Sequence, residues 1–365
     1  MGSNNALNVF GFKLQQQSVQ ASDFDPVKLN DPGSYSDFTT KLLVKQPLLN
    51  LDMMQARKAA KGQAKVYQLV QNRTAQAIGL QVELVFIQLQ STYEAEGVLQ
   101  QAKMAADSLY TFIQNRVEEG LLQRSDALNV QVWQSSLQAQ LAETKSGLLD
   151  LSDRLSLMMG VKGGSLYRVD PLKETENAYS FLDSLPAQRA DLLAMEKAID
   201  ASGKMIRSTK MAFLPRINAF GSYQFNDNSA LGMKSGSYLA GLQLTWDIFK
   251  GHQVKNKTRT QSLEQLRMMQ ELGVRKEQGQ VELDQVARQY ADALVSIQRQ
   301  ETAIQFASES LRILLDRYEQ GLANSTDVLL AQTQLSQQKL GRVQARARQA
   351  MAAAQLRFLT QTSNQ

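Results

Sequence analysis

One twenty-residue segment occurs twice in this chain, and the repeat constrains the fold more than any other feature of the sequence. The first copy reads RVEEGLLQRSDALNVQVWQS over 116–135, and the second reads RYEQGLANSTDVLLAQTQLS over 317–336. The copies lie 201 positions apart without a gap, and eight of their twenty paired positions are identical. Such spacing indicates that one structural unit has been duplicated in tandem.

Each copy predicts two helices joined by a tight tip. Gly120 and Gly321 suit the position just after a helix, where a positive φ costs a residue without Cβ little. A Ser or Thr followed by Asp then suits the N-cap of the next helix, where a side-chain oxygen accepts free backbone amides. These N-cap pairs are Ser125-Asp126 and Thr326-Asp327, within predicted tips over 116–127 and 317–328.

The first predicted repeat covers 1–185 and is a β-hairpin followed by two helices. Short runs rich in β-branched and aromatic residues predict its strands, and Pro47 ends the second one because proline cannot donate to a sheet. The next run has apolar periodicity and no proline, which predicts a helix of about 100 Å at ~1.5 Å per residue. The predicted elements are the hairpin 6–48 with strands Ala6–Leu14 and Thr39–Leu48, the long helix 50–119, the helix 126–159 and the connector 160–185.

The second predicted repeat covers 186–365 and follows the same plan after one additional helix. Pro186 suits a helix start and Pro215 a helix end. The tetrapeptide NAFG at 218–221 matches NVFG at 8–11, which pairs the first strands of the two repeats. The predicted elements are the helix 186–213, the hairpin 216–249, the long helix 251–320 and the helix 327–359.

The expected fold is mainly α with a small β part: long antiparallel α-hairpins and four strands per chain. The run SYLAGLQLTWDIF at 237–249 alternates apolar and polar residues, and strands of about ten residues match a tilted membrane strand. In a bilayer such strands must close into a barrel, because unpaired backbone groups are costly in hydrocarbon. Aromatic residues near the strand ends fit a membrane girdle, namely Tyr223, Phe225, Tyr238, Trp246 and Phe249. A soluble sheet packed against a helix and an ordinary antiparallel coiled coil are the alternatives.

The composition argues against several classes of function. The chain has no Cys and a single His, His252, so we expect neither a thiolate nucleophile nor a metal site. The formal charge of +5 comes from 40 basic and 35 acidic residues spread along the chain, which argues against nucleic-acid binding. The loop Gly160–Gly164 lacks the Lys-Ser/Thr ending of a phosphate-binding loop. We expect no enzyme activity, no catalytic residue and no cofactor.

The targeting signals disagree with the strand pattern. The chain has no run of about 18 apolar residues that would form a transmembrane helix. Its first 19 residues lack the basic start and apolar core of a signal peptide. By themselves these observations favour a cytoplasmic protein, whereas the repeat and the alternating strands favour an outer membrane barrel.

Two further segments are characteristic: MAFLPRINAFGSYQF, which enters a strand, and LPAQRADLLAMEKAI, which opens the preceding helix. Together with the twin tips, they make the chain similar to the TolC family of outer membrane efflux proteins over 6–359. The resemblance implies a homotrimer with a twelve-stranded barrel among outer membrane lipid and a helical tunnel in the periplasm. A periplasmic adaptor and an inner-membrane transporter or ATPase would dock at the tips, and substrates would leave without catalysis.

One departure from the family concerns the start of the chain. Family members have helix ahead of the first strand, whereas five residues precede Ala6 here. We therefore expect the N-terminal helices and the export signal to be missing, by truncation or because the chain is a gene fragment.

The resemblance carries functional positions over only at the tips. Asp126 and Asp327, tripled by symmetry, would ring the tunnel entrance and favour cations, or act only as helix caps. Tyr318 would donate a hydrogen bond toward Asp126 of the adjacent tip and help hold the entrance shut. The expected adaptor-docking residues are Arg116, Gly120, Leu121, Ser125 and Asp126 in the first tip and Arg317, Gly321, Leu322, Thr326 and Asp327 in the second.

Three functions follow from these patterns. The leading one is a passive transport conduit, the second is a soluble coiled-coil adaptor or interaction protein, and the third is a hydrolase. Detergent dependence distinguishes the first two, because a membrane barrel needs amphiphile for solubility and a coiled coil does not.

Overall fold

A computed structural model of the protein describes residues 1–172 and 184–362, so the predicted connector 160–185 lies partly outside the described residues. The described residues form seven α-helices and five β-strands. The helices are α1 (Ala6–Gln15), α2 (Pro26–Asn30), α3 (Leu51–Glu118), α4 (Arg124–Met159), α5 (Ala190–Met211), α6 (Gln253–Glu319) and α7 (Ser325–Thr360). The strands are β1 (Gly2–Ser3), β2 (Tyr35–Ser36), β3 (Phe38–Leu49), β4 (Arg216–Asp227) and β5 (Ser235–Thr245).

The duplication is visible in the lengths of the helices. α3 and α6 have 68 and 67 residues, and α4 and α7 have 36 residues each. The chain nevertheless divides into two compact units that each draw on both repeats. The first unit contains 1–64 and 197–269, and the second contains 65–196 and 270–365. The two repeats are therefore visible in the sequence, but neither repeat is a compact unit by itself. Each compact unit contains corresponding parts of both repeats.

The predicted strand Ala6–Leu14 is wrong, because these residues form α1. The Oδ1 atom of Asn5 accepts the amides of the second and third helical residues at 3.1 and 3.4 Å, which caps the helix. Val9 is buried, and the rings of Phe10 and Phe24 meet edge to face with centroids 5.6 Å apart. β-branched and aromatic residues favour strands only where a sheet offers them neighbours, and here a helix buries them instead.

The three long strands form one antiparallel sheet in the order β3-β4-β5. The predicted hairpin 6–48 is therefore wrong, since β3 pairs with β4 of the other repeat. Three of the four predicted strands form in the described residues. The described residues of three copies would therefore supply fewer long strands than the twelve of the expected barrel. β5 ends at Thr245, so Trp246 and Phe249 lie inside the predicted hairpin 216–249 but just beyond the observed strand end.

The two faces of this sheet differ in polarity. One face carries no charged residue along β5. In β3 and β4, the same face carries none from the Thr40↔Phe225 pair to the Gln46↔Ala219 pair. Six large side chains of this face are exposed: Leu42, Val44, Tyr223, Tyr238, Leu242 and Leu244. The opposite face carries the charged and most of the polar side chains, among them Lys41, Lys45, Asn218, Ser222, Gln224 and Gln243.

Within the first unit, α5 packs closely against its neighbours. A Cβ atom added to Gly62 of α3 would lie 3.1 Å from the Cβ of Ala201 in α5, so the absence of a side chain allows the close approach. On α6, Gln265 Nε2 donates a hydrogen bond to the Ile199 carbonyl of α5 at 3.0 Å. These contacts hold the helix ends that adjoin the sheet.

Within the second unit, a buried ionic cluster marks the start of α5. Arg189 is fully buried, and its Nε and Nη2 atoms donate to both carboxylate oxygens of Asp191 at 2.7 and 2.8 Å. Arg73 of α3 and Arg275 of α6 approach the same carboxylate at 3.9 and 3.6 Å. Burial raises the pKa of Asp191, but the hydrogen bonds and charge of Arg189, with the two other guanidinium groups, outweigh it and hold the pKa below its usual range.

We expect Asp191→Asn to cost about 3–5 kcal/mol, because it leaves the Arg189 guanidinium buried without a counter-charge. The matched control is Asp200→Asn on the same helix, which breaks an exposed pair with Lys204 and should cost less than about 1 kcal/mol. Thermal unfolding followed by circular dichroism measures both.

The pH dependence gives a second readout. A carboxyl group with a depressed pKa stabilises the fold above its unfolded pKa of 3.8, and this contribution is lost as the pH falls through the folded value. The difference between wild type and Asp191→Asn should therefore shrink below about pH 4. Equal losses in the two variants at neutral pH would show that the cluster does not stabilise the unit.

Candidate functional site

Both tips contain the turn that their glycines predict. Gly120 and Gly321 have φ angles of 73° and 75°, in the left-handed region that favours glycine. In each tip, the amide of the following leucine donates to the carbonyl of Arg116 or Arg317 at 2.8 Å and closes the helix end. No other atom lies within 4 Å of a Cβ added to either glycine, so backbone conformation is the reason for glycine here.

The predicted N-caps are displaced by two or three residues. The N-caps are Gln123 and Asn324, and the helices begin directly after them. Asp126 is the third residue of its helix, where its carboxylate accepts the Gln123 amide at 3.2 Å. Asp327 is also third, and its amide donates to Asn324 Oδ1 at 2.9 Å. An Asp in the first turn is favourable both as a cap and as a charge near the positive end of the helix, so the sequence pattern fits either position.

A hydrogen bond joins the two tips within one chain. Ser325 Oγ donates to Asp126 Oδ1 at 2.5 Å, across 199 positions of sequence. Next to it, Arg116 Nη2 donates to the Glu319 carbonyl at 3.4 Å, and its guanidinium lies 4.4 Å from the ring centre of Phe112. Nothing in the local sequence marks Ser325, because its role depends on the first tip lying beside it.

Tyr318 is buried in the apolar core between the two tips of the chain. It is 3 % exposed, and its ring packs against Phe112 with centroids 5.7 Å apart. Its hydroxyl makes no hydrogen bond within the described part of the chain, so the expected bond to Asp126 is not formed there and Ser325 donates instead. Burial and the negative charge of Asp126 raise the pKa of Tyr318, against the opposing charge of Arg116.

A continuous apolar core supports this arrangement. All four long helices contribute to it, and its buried members are Ile113, Ala127, Val130, Leu311, Tyr318, Val328, Ala331 and Leu335. The tip leucines Leu121 and Leu322 point away from the core and are 66 % and 64 % exposed. The tips thus combine a rigid base with two exposed apolar side chains, a combination that suits binding to a partner.

Comparison with known proteins decides the family. The family model of outer membrane efflux proteins matches residues 10–161 and 181–361. The chain belongs to the outer membrane efflux protein family. It is a channel protein of the outer membrane with its helical part in the periplasm, which confirms the resemblance drawn from the sequence. Members of this family act as trimeric channels with adaptor and inner-membrane partners.

Solved structures share the fold of this outer membrane efflux protein. VceC, an outer membrane protein of Vibrio cholerae, is 15% identical with a TM-score of 0.79, over 99% of this chain and 92% of its own. The CmeC channel of Campylobacter jejuni is 15% identical with a TM-score of 0.71, over 98% of this chain and 83% of its own. The MtrE channel of Neisseria gonorrhoeae, solved in its open state, is 14% identical with a TM-score of 0.73, over 98% and 84%. The search of curated proteins gives no match.

The aromatic residues expected in the membrane girdle of this efflux protein fall into two groups. Tyr223, Phe225 and Tyr238 lie at one end of the sheet, where Tyr223 pairs with Tyr238 and lies 4.8 Å from the Phe225 ring. Trp246 and Phe249 lie just beyond the other end, and both are exposed. Trp246 follows Tyr238 by eight positions, a distance of about 27 Å at ~3.4 Å per residue of extended chain.

No helix in 1–172 or 184–362 is long and apolar enough to cross a bilayer. Over the same residues, no group of three or more His, Cys, Asp or Glu side chains is arranged to hold a metal ion.

Alkaline pH should weaken the tip contact through Tyr318. Since its folded pKa lies above the ordinary 10.0, the unfolded state ionises first, and stability present below about pH 10 is lost as the pH rises further. Tyr318→Phe should therefore lose less stability than wild type between pH 9 and 11. The fluorescence of Trp133, which packs against the tip core, reports the change in a Trp246→Phe background. Identical profiles with and without the hydroxyl would contradict this assignment.

Proposed function

We propose that three copies of this chain surround an aqueous passage that is closed at the helix tips and opens when a periplasmic adaptor docks there. The observation that carries the proposal is the pair of tips joined by Ser325 and Asp126, with exposed leucines beside that bond. An inner-membrane transporter or ATPase would deliver substrate to this end, and export would need no catalytic residue.

The sheet supports the membrane part of the proposal. Its uncharged face presents exposed leucines, valine and tyrosines over a length close to the apolar band of about 25 Å that a membrane barrel needs. The aromatic groups at the two ends of this face would lie at the two membrane interfaces, where amphipathic rings are favoured. The opposite face, with Lys41 and Lys45, would face water inside the barrel.

The edges of the sheet support assembly. β3 and β5 each pair on one side only within the described residues, which leaves backbone groups on their outer sides open. In hydrocarbon each such group would cost several kcal/mol, by order of magnitude. Neighbouring copies are the simplest source of partners, because a homotrimer presents the same two edges three times.

The entrance would be lined by carboxylates. Asp126 and Asp327 lie in the first turns of α4 and α7, and Glu118, Glu119 and Glu319 lie at the preceding helix ends. Three copies would bring these groups around one axis, and acidic rings of this kind favour cations over anions.

The alternative of a soluble coiled-coil adaptor is less favoured. It would leave the apolar face of the sheet in water, where six large side chains are already exposed. The helix tips alone fit either function, but the sheet fits a bilayer.

A matched pair of substitutions on β5 tests the membrane placement. Leu242 and Gln243 are adjacent and lie on opposite faces. Leu242→Arg should cost about 2–4 kcal/mol if that face contacts lipid near the bilayer centre, whereas Gln243→Arg on the water side should cost little. Unfolding of the protein reconstituted in phosphatidylcholine vesicles measures both costs. Equal tolerance of arginine at the two positions would argue for a soluble sheet.

A second experiment tests adaptor docking at the tips. Leu121→Glu with Leu322→Glu places charges on the two exposed tip leucines and should lower adaptor affinity at least tenfold, by loss of apolar contact. Leu231→Glu is the control, because this leucine is 87 % exposed in the turn before β5. Affinity is measured by surface plasmon resonance with purified periplasmic adaptors that bind wild type. Unchanged binding by the tip variant to an adaptor that binds wild type would place docking elsewhere.

A further inference from the structure

The helix ends that adjoin the sheet carry a concentration of positive charge. Three segments meet there, 50–61, 207–216 and 247–259, and they contain ten basic and two acidic residues. This excess of eight positive charges is larger than the formal charge of the whole chain, which is +5. The sequence shows three modest clusters far apart, and the fold brings them to one level of the first unit.

Both acids in these segments are already paired. Asp52 accepts from Arg216 at 2.7 Å, and Asp247 accepts from Lys250 at 2.5 Å. The remaining eight bases are exposed and form no ion pair within the described residues. This basic collar consists of Arg57, Lys58 and Lys61 on α3, Arg207 and Lys210 on α5, and Lys255, Lys257 and Arg259 on α6.

The collar lies close to the sheet. α3 begins two residues after β3, and Asn50 between them donates to Asn218 of β4 at 3.0 Å. Lys61 is the eleventh residue of α3, so the collar extends about 15 Å from the helix start at ~1.5 Å per residue. Charges within about 8 Å of one another are incompletely screened at physiological salt, so neighbouring bases of the collar reinforce one another.

Exposed apolar side chains lie between the collar and the sheet. They are Phe213, Leu214, Trp246, Ile248 and Phe249, and all five are at least 44 % exposed. Trp246 Nε1 donates to the Phe213 carbonyl at 3.0 Å, which fixes the indole beside the end of α5. An aromatic and aliphatic band followed by lysines and arginines is the pattern of a segment at a membrane surface.

Helix stability does not account for the bases on α6. Lys255, Lys257 and Arg259 occupy the first two turns of α6, and the first turn has no acidic residue. Positive charges there oppose the positive end of the helix dipole. The bases on α6 thus lie where the isolated helix would disfavour them, which points to an external anion.

We propose that the basic collar binds the phosphate groups of anionic phospholipids in the membrane leaflet next to the helices. This inference rests on the proposed placement of the sheet in a bilayer. The uncharged face would meet the acyl chains, the aromatic band would lie at the interface, and the collar would contact the headgroups below it. Such contacts would fix the depth of the sheet in the membrane.

The test compares two lipids with the same acyl chains. The full chain in a non-ionic detergent is titrated with phosphatidylglycerol or with phosphatidylcholine, and bound lipid is counted by native mass spectrometry. Wild type should prefer phosphatidylglycerol at least tenfold, since each base near an anionic surface contributes about fivefold. The preference should decrease as salt is added.

Three variants isolate the collar. Lys255→Gln with Lys257→Gln and Arg259→Gln should lose most of the preference, whereas the charge-preserving triple Lys255→Arg, Lys257→Arg and Arg259→Lys should keep it. The control triple removes the same charge from the second unit and should also keep the preference for phosphatidylglycerol. Its substitutions are Lys145→Gln, Arg154→Gln and Lys162→Gln, at exposed bases that form no ion pair within the described residues.

Several results would overturn the proposal. They are equal binding of the two lipids by wild type, equal losses in the collar and control triples, and displacement of the lipid by inorganic phosphate at similar concentration. A collar triple that keeps its lipid preference but changes the charge selectivity of the conductance would instead place these bases in the passage. A chain that inserts into bilayers without lipid preference refutes only the collar, whereas a chain that stays soluble without amphiphile refutes the proposed function itself.

Discussion

A sheet whose apolar face is left uncovered by its own chain is the constraint on which the rest of the structure depends. In water, each large apolar side chain left exposed forgoes about 1.5–3 kcal/mol of burial, and six such side chains share this face. Lipid removes that loss without requiring any further protein. The same surroundings make the open strand edges costly, so one physical condition would account for both the membrane placement and the proposed assembly from several chains.

At the tips, two copies of one sequence motif have acquired different contacts. Both glycines adopt the same conformation and both aspartates occupy the third helical position. The bond between the tips is nevertheless one-sided, because Ser325 donates to Asp126 while the repeat counterpart of Ser325 is Arg124. The residues that the copies share thus give both tips the same shape, and residues that differ between the copies form the contact that joins the pair.

The concentration of basic residues near the sheet is visible in the folded chain but not along the sequence. The basic and acidic residues are nearly balanced over the chain, and no single segment stands out as strongly basic. Because the starts of α3 and α6 and the end of α5 lie side by side, three ordinary clusters become one group of eight bases. None of these bases forms an ion pair within the described residues.

The sequence by itself determined the long helices, their tips and the alternation of β5, because proline-free apolar periodicity, positive-φ glycines and period-two patterns act locally. It also carried enough of the family motifs for the membrane channel to be recognised. Only the tertiary structure decided that Ala6–Leu14 is a helix, that β3 pairs with β4 of the other repeat, and that Ser325 meets Asp126. Each of these outcomes depends on which distant neighbour is available, and residue propensities contain no information about distant neighbours.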